Sequence, residues 1–159
     1  MKALAILFAA ALASPAAAQT IVCPSDPPSN VNLAAKEIRR YVYLRTGELM
    51  RVSAEPANAS DRRIALELDP SLASQTYRLV SDGRSLTIAG GSDVAVLYGA
   101  YAFAEKLGVR FYLHGDVIPD APIPFELPHL DETRSPLFET RGIQPFHDFP
   151  EGPDWWNQD

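Results

Sequence analysis

The stretch YRLVSDGRSLTIAGGSDVAVLYGAYAFAEKLG, residues 77–108, decides the fold. It opens with two runs of strand-forming residues, Tyr77 to Val80 and Ser85 to Ala89, on either side of Ser81-Asp82-Gly83-Arg84. Asp-Gly between such runs is a strong hairpin signal, because glycine supplies the positive φ that a tight turn needs. Gly90-Gly91-Ser92 then turns the chain. Ser92 is placed to cap a helix, and Asp93 suits the positive end of its dipole. From Val94 to Leu107 apolar residues lie on nearly every side (Val96, Leu97, Tyr98, Ala100, Tyr101, Phe103, Ala104). Such a helix is expected to be largely buried, with Gly108 ending it.

Downstream, Val109 to Leu113 reads as a further strand. Upstream, Ile64, Leu66 and Leu68 alternate with Ala65 and Glu67 at strand period, and Leu49 to Val52 suggests a short strand. In Leu33 to Thr46, Ala35, Ile38 and Val42 share one helical face, while Lys36, Glu37, Arg39 and Arg40 take the other. Asn32 is a fair N-cap for that helix, and Gly47 is placed to end it in the left-handed conformation. Asp26-Pro27-Pro28-Ser29-Asn30 is a turn, and Ile21 to Cys23 fits an edge strand. The expected fold is an α/β (α+β) two-layer sandwich: a mixed or antiparallel sheet with helices 33–46 and 93–107 on one face. The pattern does not order the strands.

The chain changes character near Gly115. Residues 1–114 hold twelve basic and ten acidic side chains, whereas residues 115–159 hold two and ten, together with eight of the fourteen prolines. The division expected is a signal peptide at 1–18, an α/β domain at 19–114, a Pro-rich acidic connector lying extended on the surface at 115–136, and the start of another domain at 137–159. Lys2, the apolar run Ala3 to Ala13, Pro15 and Ala16-Ala17-Ala18 have the order of a bacterial secretory signal, cut before Gln19. Export to the periplasm or the extracellular space is therefore expected. The run is too short for a membrane span. Val22 makes a poor lipoprotein cleavage position before Cys23, and a single cysteine forms no internal disulfide. The net charge of −6 argues against a nucleic-acid partner.

No His-Glu-x-x-His, paired-cysteine or Walker pattern occurs, so no metal and no cofactor are expected. Gly90-Gly91 before a helix has the makings of an anion cradle, but a tight turn explains it more simply. His114-Gly115-Asp116 reads as a strand end and turn, and His129 as solvated. Phe138-Glu139-Thr140-Arg141-Gly142-Ile143 reads as a new strand. The stretch after it gathers His147, Asp148, Phe149, Glu151, Asp154, Trp155 and Trp156. Aromatic faces bind the C–H surfaces of sugars, and planar charged groups fix hydroxyls or a carboxylate. Arg141, His147, Asp148 and Trp155 are the candidate substrate contacts. The competing reading makes the tryptophans a rim cover, the acids solvated, and Arg141 the partner of a structural salt bridge. The sequence stops with its aromatics uncovered, which is expected of a cut through a longer protein.

Ala34-Ala35-Lys36-Glu37-Ile38, Thr46-Gly47, Tyr77-Arg78-Leu79-Val80, Leu86-Thr87-Ile88-Ala89-Gly90-Gly91-Ser92, Val96-Leu97-Tyr98-Gly99-Ala100-Tyr101 and Leu107-Gly108-Val109-Arg110-Phe111-Tyr112 carry a resemblance. Over about residues 20–143 the chain resembles the N-terminal, non-catalytic domain of family 67 α-glucuronidases and family 20 β-N-acetylhexosaminidases, in an uncharacterised branch. The resemblance implies that a (β/α)₈ barrel follows, starting within 137–159, with the catalytic carboxylates beyond Asp159. It implies that Arg141-Gly142 stands where an arginine holds sugar hydroxyls. Ile143 to Phe149 departs from both families, which leaves the sugar open. The expected function is that of the accessory domain of an exported glycoside hydrolase, inactive alone. Its partners would be a carbohydrate substrate and its own C-terminal barrel. A binding or protein-interaction module without hydrolysis is the alternative. An exported metalloprotease-like domain finds no ligand cluster.

Overall fold

A computed structural model describes residues 19–55 and 62–142. In chain order the elements are β1 (Gln19–Val22), α1 (Ser29–Thr46), β2 (Arg51–Ser53), β3 (Arg62–Leu68), β4 (Tyr77–Asp82), β5 (Ser85–Gly90), α2 (Asp93–Lys106), β6 (Arg110–Tyr112), β7 (Gly115–Val117) and β8 (His129–Arg134). A six-stranded sheet runs β2-β1-β3-β5-β4-β8. The first four of these are mutually parallel, and β4 pairs antiparallel with both β5 and β8. The sheet is therefore mixed, and the α/β two-layer reading holds.

Register explains the core. Ile21 stands beside Ile64, Ile64 beside Leu86, and Ile88 between Leu66 and Leu79. These six side chains share one face of the sheet and are buried. Against them pack Ala35, Ile38 and Val42 of α1 and Val96, Ala100 and Phe103 of α2, in one cluster. The helices also pack on each other, so both cover the same face. Each large side chain so buried contributes about 1.5–3 kcal/mol before entropy is counted. The Asp82-Gly83 hairpin forms as expected, with Gly83 at φ 87°.

Five expectations for residues 19–136 need correction. β1 lies inside the sheet, between β2 and β3, so Ile21 to Cys23 is not at an edge. Helix α1 starts at Ser29 after Pro28, which offers no side-chain cap, and Asn32 lies inside it. Val31, 2% exposed, continues the stripe of Ala34, Ala35 and Ile38 one turn upstream. Burying it outweighs a missing cap of about 1 kcal/mol. Helix α2 is not buried all round: Tyr98 is 36% exposed, because only its Ala95, Val96, Gly99, Ala100, Phe103 and Ala104 side is buried. The strand expected at Val109 to Leu113 is β6, which pairs with β7 in a separate hairpin outside the main sheet.

The fifth concerns the Pro-rich stretch. Phe125 and Leu127 are buried in the core cluster, and His129–Arg134 is the sixth strand of the sheet. Prolines gave the stretch the look of a surface connector, yet they punctuate rather than exclude burial. The Arg45 guanidinium fixes its entry by donating to Pro119 O at 2.5 Å and Ala121 O at 2.8 Å, and it also reaches Leu107 O at 2.8 Å. Strand β8 ends the sheet with exposed His129, Asp131, Thr133 and Arg134, and the charges of Asp131 and Arg134 discourage edge-to-edge pairing. No helix among the described residues is long and apolar enough to cross a membrane.

Candidate functional site

Leaving β8, the chain crosses to the outer side of α2. Ser135 Oγ lies 2.7 Å from Thr76 Oγ1, and the Gln75 amide nitrogen donates to Glu139 O at 3.4 Å. This path brings Arg141 onto α2. Its guanidinium donates to the Gln75 side-chain oxygen and stands 5.7 Å from the centre of the Tyr98 ring. No carboxylate lies within ion-pair range of Arg141 among the described residues. The expected alternative of a structural salt bridge to Glu139 or to an acid of the connector is therefore not what this structure shows.

Two open clefts share Gln75, Tyr98 and Arg141. One, of about 540 Å³, is lined by Tyr77, Tyr98, Tyr101, Phe111, Arg134 and Arg141, with Glu105 on its wall. The other, of about 690 Å³, lies over the start of α2 and includes Ser74, Ser92, Asp93 and Glu139. Both volumes suit a small ligand. The aromatic lining follows from helical spacing, since Tyr98, Tyr101, Ala102 and Glu105 fall on one face of α2. The β6–β7 hairpin brings Phe111 to that face, edge-on to Tyr101 at 5.1 Å and to Tyr41 at 5.6 Å.

A polar clamp fixes the hairpin to α1. The Tyr41 hydroxyl donates to the Asp116 carboxylate at 2.8 Å, and Arg40 reaches the same oxygen at 3.2 Å. The Tyr41 hydrogen bond, helped by Arg40, holds the Asp116 carboxyl below its usual range. Burial and that same bond push the Tyr41 phenol well above its own.

The start of α2 is a tight turn. Ser92 Oγ accepts from Ala95 N at 3.3 Å, as the sequence led one to expect, and donates to Ser74 O at 2.5 Å. A Cβ on Gly91 would stand 2.1 Å from Ala73 O, and one on Gly90 would stand 2.4 Å from Val96 N. Close backbone packing therefore accounts for both glycines without an anion. His114 lies in the turn between β6 and β7, stacked on Tyr112 at 5.7 Å. The His129 ring lies against Gly83. No group of three metal-ligating side chains occurs among the described residues.

Of the four expected substrate contacts, Arg141 lies in the described structure, and His147, Asp148 and Trp155 lie outside the described residues. Phe138 to Gly142 form no strand, contrary to expectation, and Ile143 lies outside the described residues, as does the expected barrel start beyond it. The sequence reading missed Gln75, Tyr98, Tyr101, Phe111 and Arg134 as neighbours of Arg141. The spacing of the α2 tyrosines was the available signal, and a helix taken as buried all round concealed it. Chemically, the larger-scale arrangement suits binding. Of the residues lining the 540 Å³ cleft, Glu105 alone is a carboxylate, whereas glycosidases use a pair.

No protein-family profile matches the chain. No curated protein matches it. Its fold is similar to part of a family GH115 4-O-methyl-alpha-glucuronidase with specificity for decorated arabinogalactans, at a TM-score of 0.57 and 17% identity, covering 76% of this chain and 18% of that one. It is also similar to part of a mutant Streptomyces plicatus beta-hexosaminidase in complex with product (GlcNAc), at a TM-score of 0.51 and 15% identity, covering 72% of this chain and 21% of that one. The glucuronidase is of family GH115 rather than family 67. The chain thus spans about a fifth of the length of these solved chains. What it shares with these glycoside hydrolases is the α/β fold of its mixed sheet and paired helices.

Proposed function

We propose that this chain is the N-terminal accessory domain of an exported glycoside hydrolase acting on polysaccharide or glycan, α-glucuronidase-like or β-hexosaminidase-like. Its catalytic residues would lie downstream of Asp159. One observation carries the proposal: a fold that takes up most of this chain takes up about a fifth of two glycosidase chains. A carbohydrate is the substrate of the whole protein, and the domain's own C-terminal barrel is its partner. Residues 1–18 direct export and are removed. In the whole protein Arg141, His147, Asp148 and Trp155 contact the substrate. The test is hydrolysis of nitrophenyl glucuronide and N-acetylglucosaminide by the pure 159-residue chain and by the polypeptide encoded when its reading frame is followed past Asp159. Turnover by the longer polypeptide alone supports the proposal.

The alternative is a module that binds carbohydrate or protein without a hydrolase attached. The tyrosine-lined cleft beside Arg141 is the observation in its favour. A longer polypeptide that binds glycans and hydrolyses none would favour this alternative.

A further inference from the structure

We infer that the 540 Å³ cleft between α2, the β6–β7 hairpin and the segment after β8 is a binding site for a sugar bearing a carboxylate, that is, a uronic-acid unit of a glycan. The inference rests on the reading of the chain as part of a glycan-handling protein, and it adds the chemical class that this domain itself would hold.

Two guanidiniums, Arg134 and Arg141, line the cleft, against the single carboxylate Glu105. Neither arginine is firmly committed to an acid. Arg141 is oriented by neutral groups, the Gln75 oxygen and the Tyr98 face, and its other N–H groups have no acceptor among the described residues. Arg134 lies 3.6 Å from Glu132, but the other oxygen of that carboxylate is held by Lys106 Nζ at 2.6 Å, and the Arg134 side chain is 66% exposed. A planar carboxylate is the natural complement of such forks, because it accepts two parallel N–H bonds at once. The rings beside them supply the second half of a sugar site. Tyr77, Tyr98, Tyr101 and Phe111 offer apolar surface to pyranose C–H groups, and the three tyrosine hydroxyls and the Glu105 carboxylate suit the ring hydroxyls. A cleft of this size admits one or two sugar units. Arginines without rings would suit any anion, and rings without arginines any sugar. The two together select an acidic sugar.

The test is calorimetric titration of the 159-residue chain with digalacturonate, its neutral methyl ester, acetate and inorganic sulfate, at low ionic strength and with salt added. Digalacturonate is expected to bind at least about tenfold more tightly than the ester, and more weakly as salt rises. R134Q and R141Q, both altering exposed side chains, are each expected to weaken digalacturonate about tenfold while leaving the melting curve in place. Equal affinity for acid and ester overturns the inference. So does binding of acetate or sulfate as tightly as digalacturonate, which would mean an adventitious anion only. Absence of binding overturns it as well. Because this test reads binding by the chain itself, it can fail while hydrolysis by the longer polypeptide succeeds, and the reverse.

Discussion

The guanidinium carbon of Arg141 stands 5.7 Å from the centre of the Tyr98 ring. That contact joins the segment after β8 to the outer face of α2, and it makes one helix serve two purposes. Its inner side closes the core, and its outer side lines a cleft. Exposed contacts of this kind are worth about 0.5–1 kcal/mol, enough to orient a side chain but not to hold a fold together.

The two sides of α2 therefore predict opposite mutational outcomes. Phe103→Ala removes a side chain that is fully buried against the sheet. The expected loss is about 3–5 kcal/mol. Tyr98→Asp, on the outer side, is expected to cost less than about 1 kcal/mol. Urea melts of both variants check this, and a large loss in Tyr98→Asp would show that its side of the helix is covered.

Arg45 predicts a second stability effect. It is 4% exposed and donates to three backbone oxygens, Leu107, Pro119 and Ala121, which tie the ends of both helices to the chain leading into β8. Arg45→Ala leaves those carbonyls short of a donor, at about 1–3 kcal/mol for each one that water cannot reach. A loss of at least about 3 kcal/mol is expected, with Arg45→Lys recovering only part because one ammonium cannot span the three. A melt of Arg45→Ala equal to wild type would show that the segment is held by Phe125 and Leu127 alone.

How much of this was legible in the sequence differs from element to element. The hairpin at Asp82-Gly83 and the Ser92 cap were legible because each depends on residues adjacent in the chain. The place of β1 between β2 and β3 was not, since parallel partners are chosen by distant contacts that no local pattern records. The burial of Phe125 and Leu127 among prolines was hidden for a related reason: what calls them inward is the core beneath and the Arg45 anchor. Arg141 was singled out from its company in the sequence. Its true neighbours Gln75, Tyr98 and Arg134 come from three separate segments, which only folding brings together.

Acid should loosen the β6–β7 hairpin. Asp116 has its carboxyl held below the usual range, first by the Tyr41 hydrogen bond. A depressed folded value means that the stabilisation is complete above the ordinary aspartate range near about 4 and is lost as pH falls through the lower, folded value. Asp116→Asn should therefore lower the melting temperature at neutral pH, flatten that part of the acid limb, and converge on wild type as pH falls. The check is the difference in melting temperature between wild type and Asp116→Asn as pH is lowered from neutral. A difference that does not vary with pH would separate the clamp from the titration.

Cys23 is buried, and burial pushes its thiol above the usual range. A buried protonated thiol is a poor nucleophile. Ellman's reagent at neutral pH should therefore label the native protein at least about a hundredfold more slowly than the urea-unfolded chain. Comparable rates would mean that β1 and the loop after it open readily.

We propose that this fold serves a glycosidase whose catalytic residues lie downstream of Asp159. The most direct measurement is turnover of nitrophenyl glucuronide and N-acetylglucosaminide, compared between the pure 159-residue chain and the polypeptide encoded by the reading frame continued past Asp159. No turnover is expected from the former, and measurable release of nitrophenol from at least one substrate is expected from the latter. Turnover by the 159-residue chain alone, or none by the longer polypeptide on either substrate, would contradict the proposal.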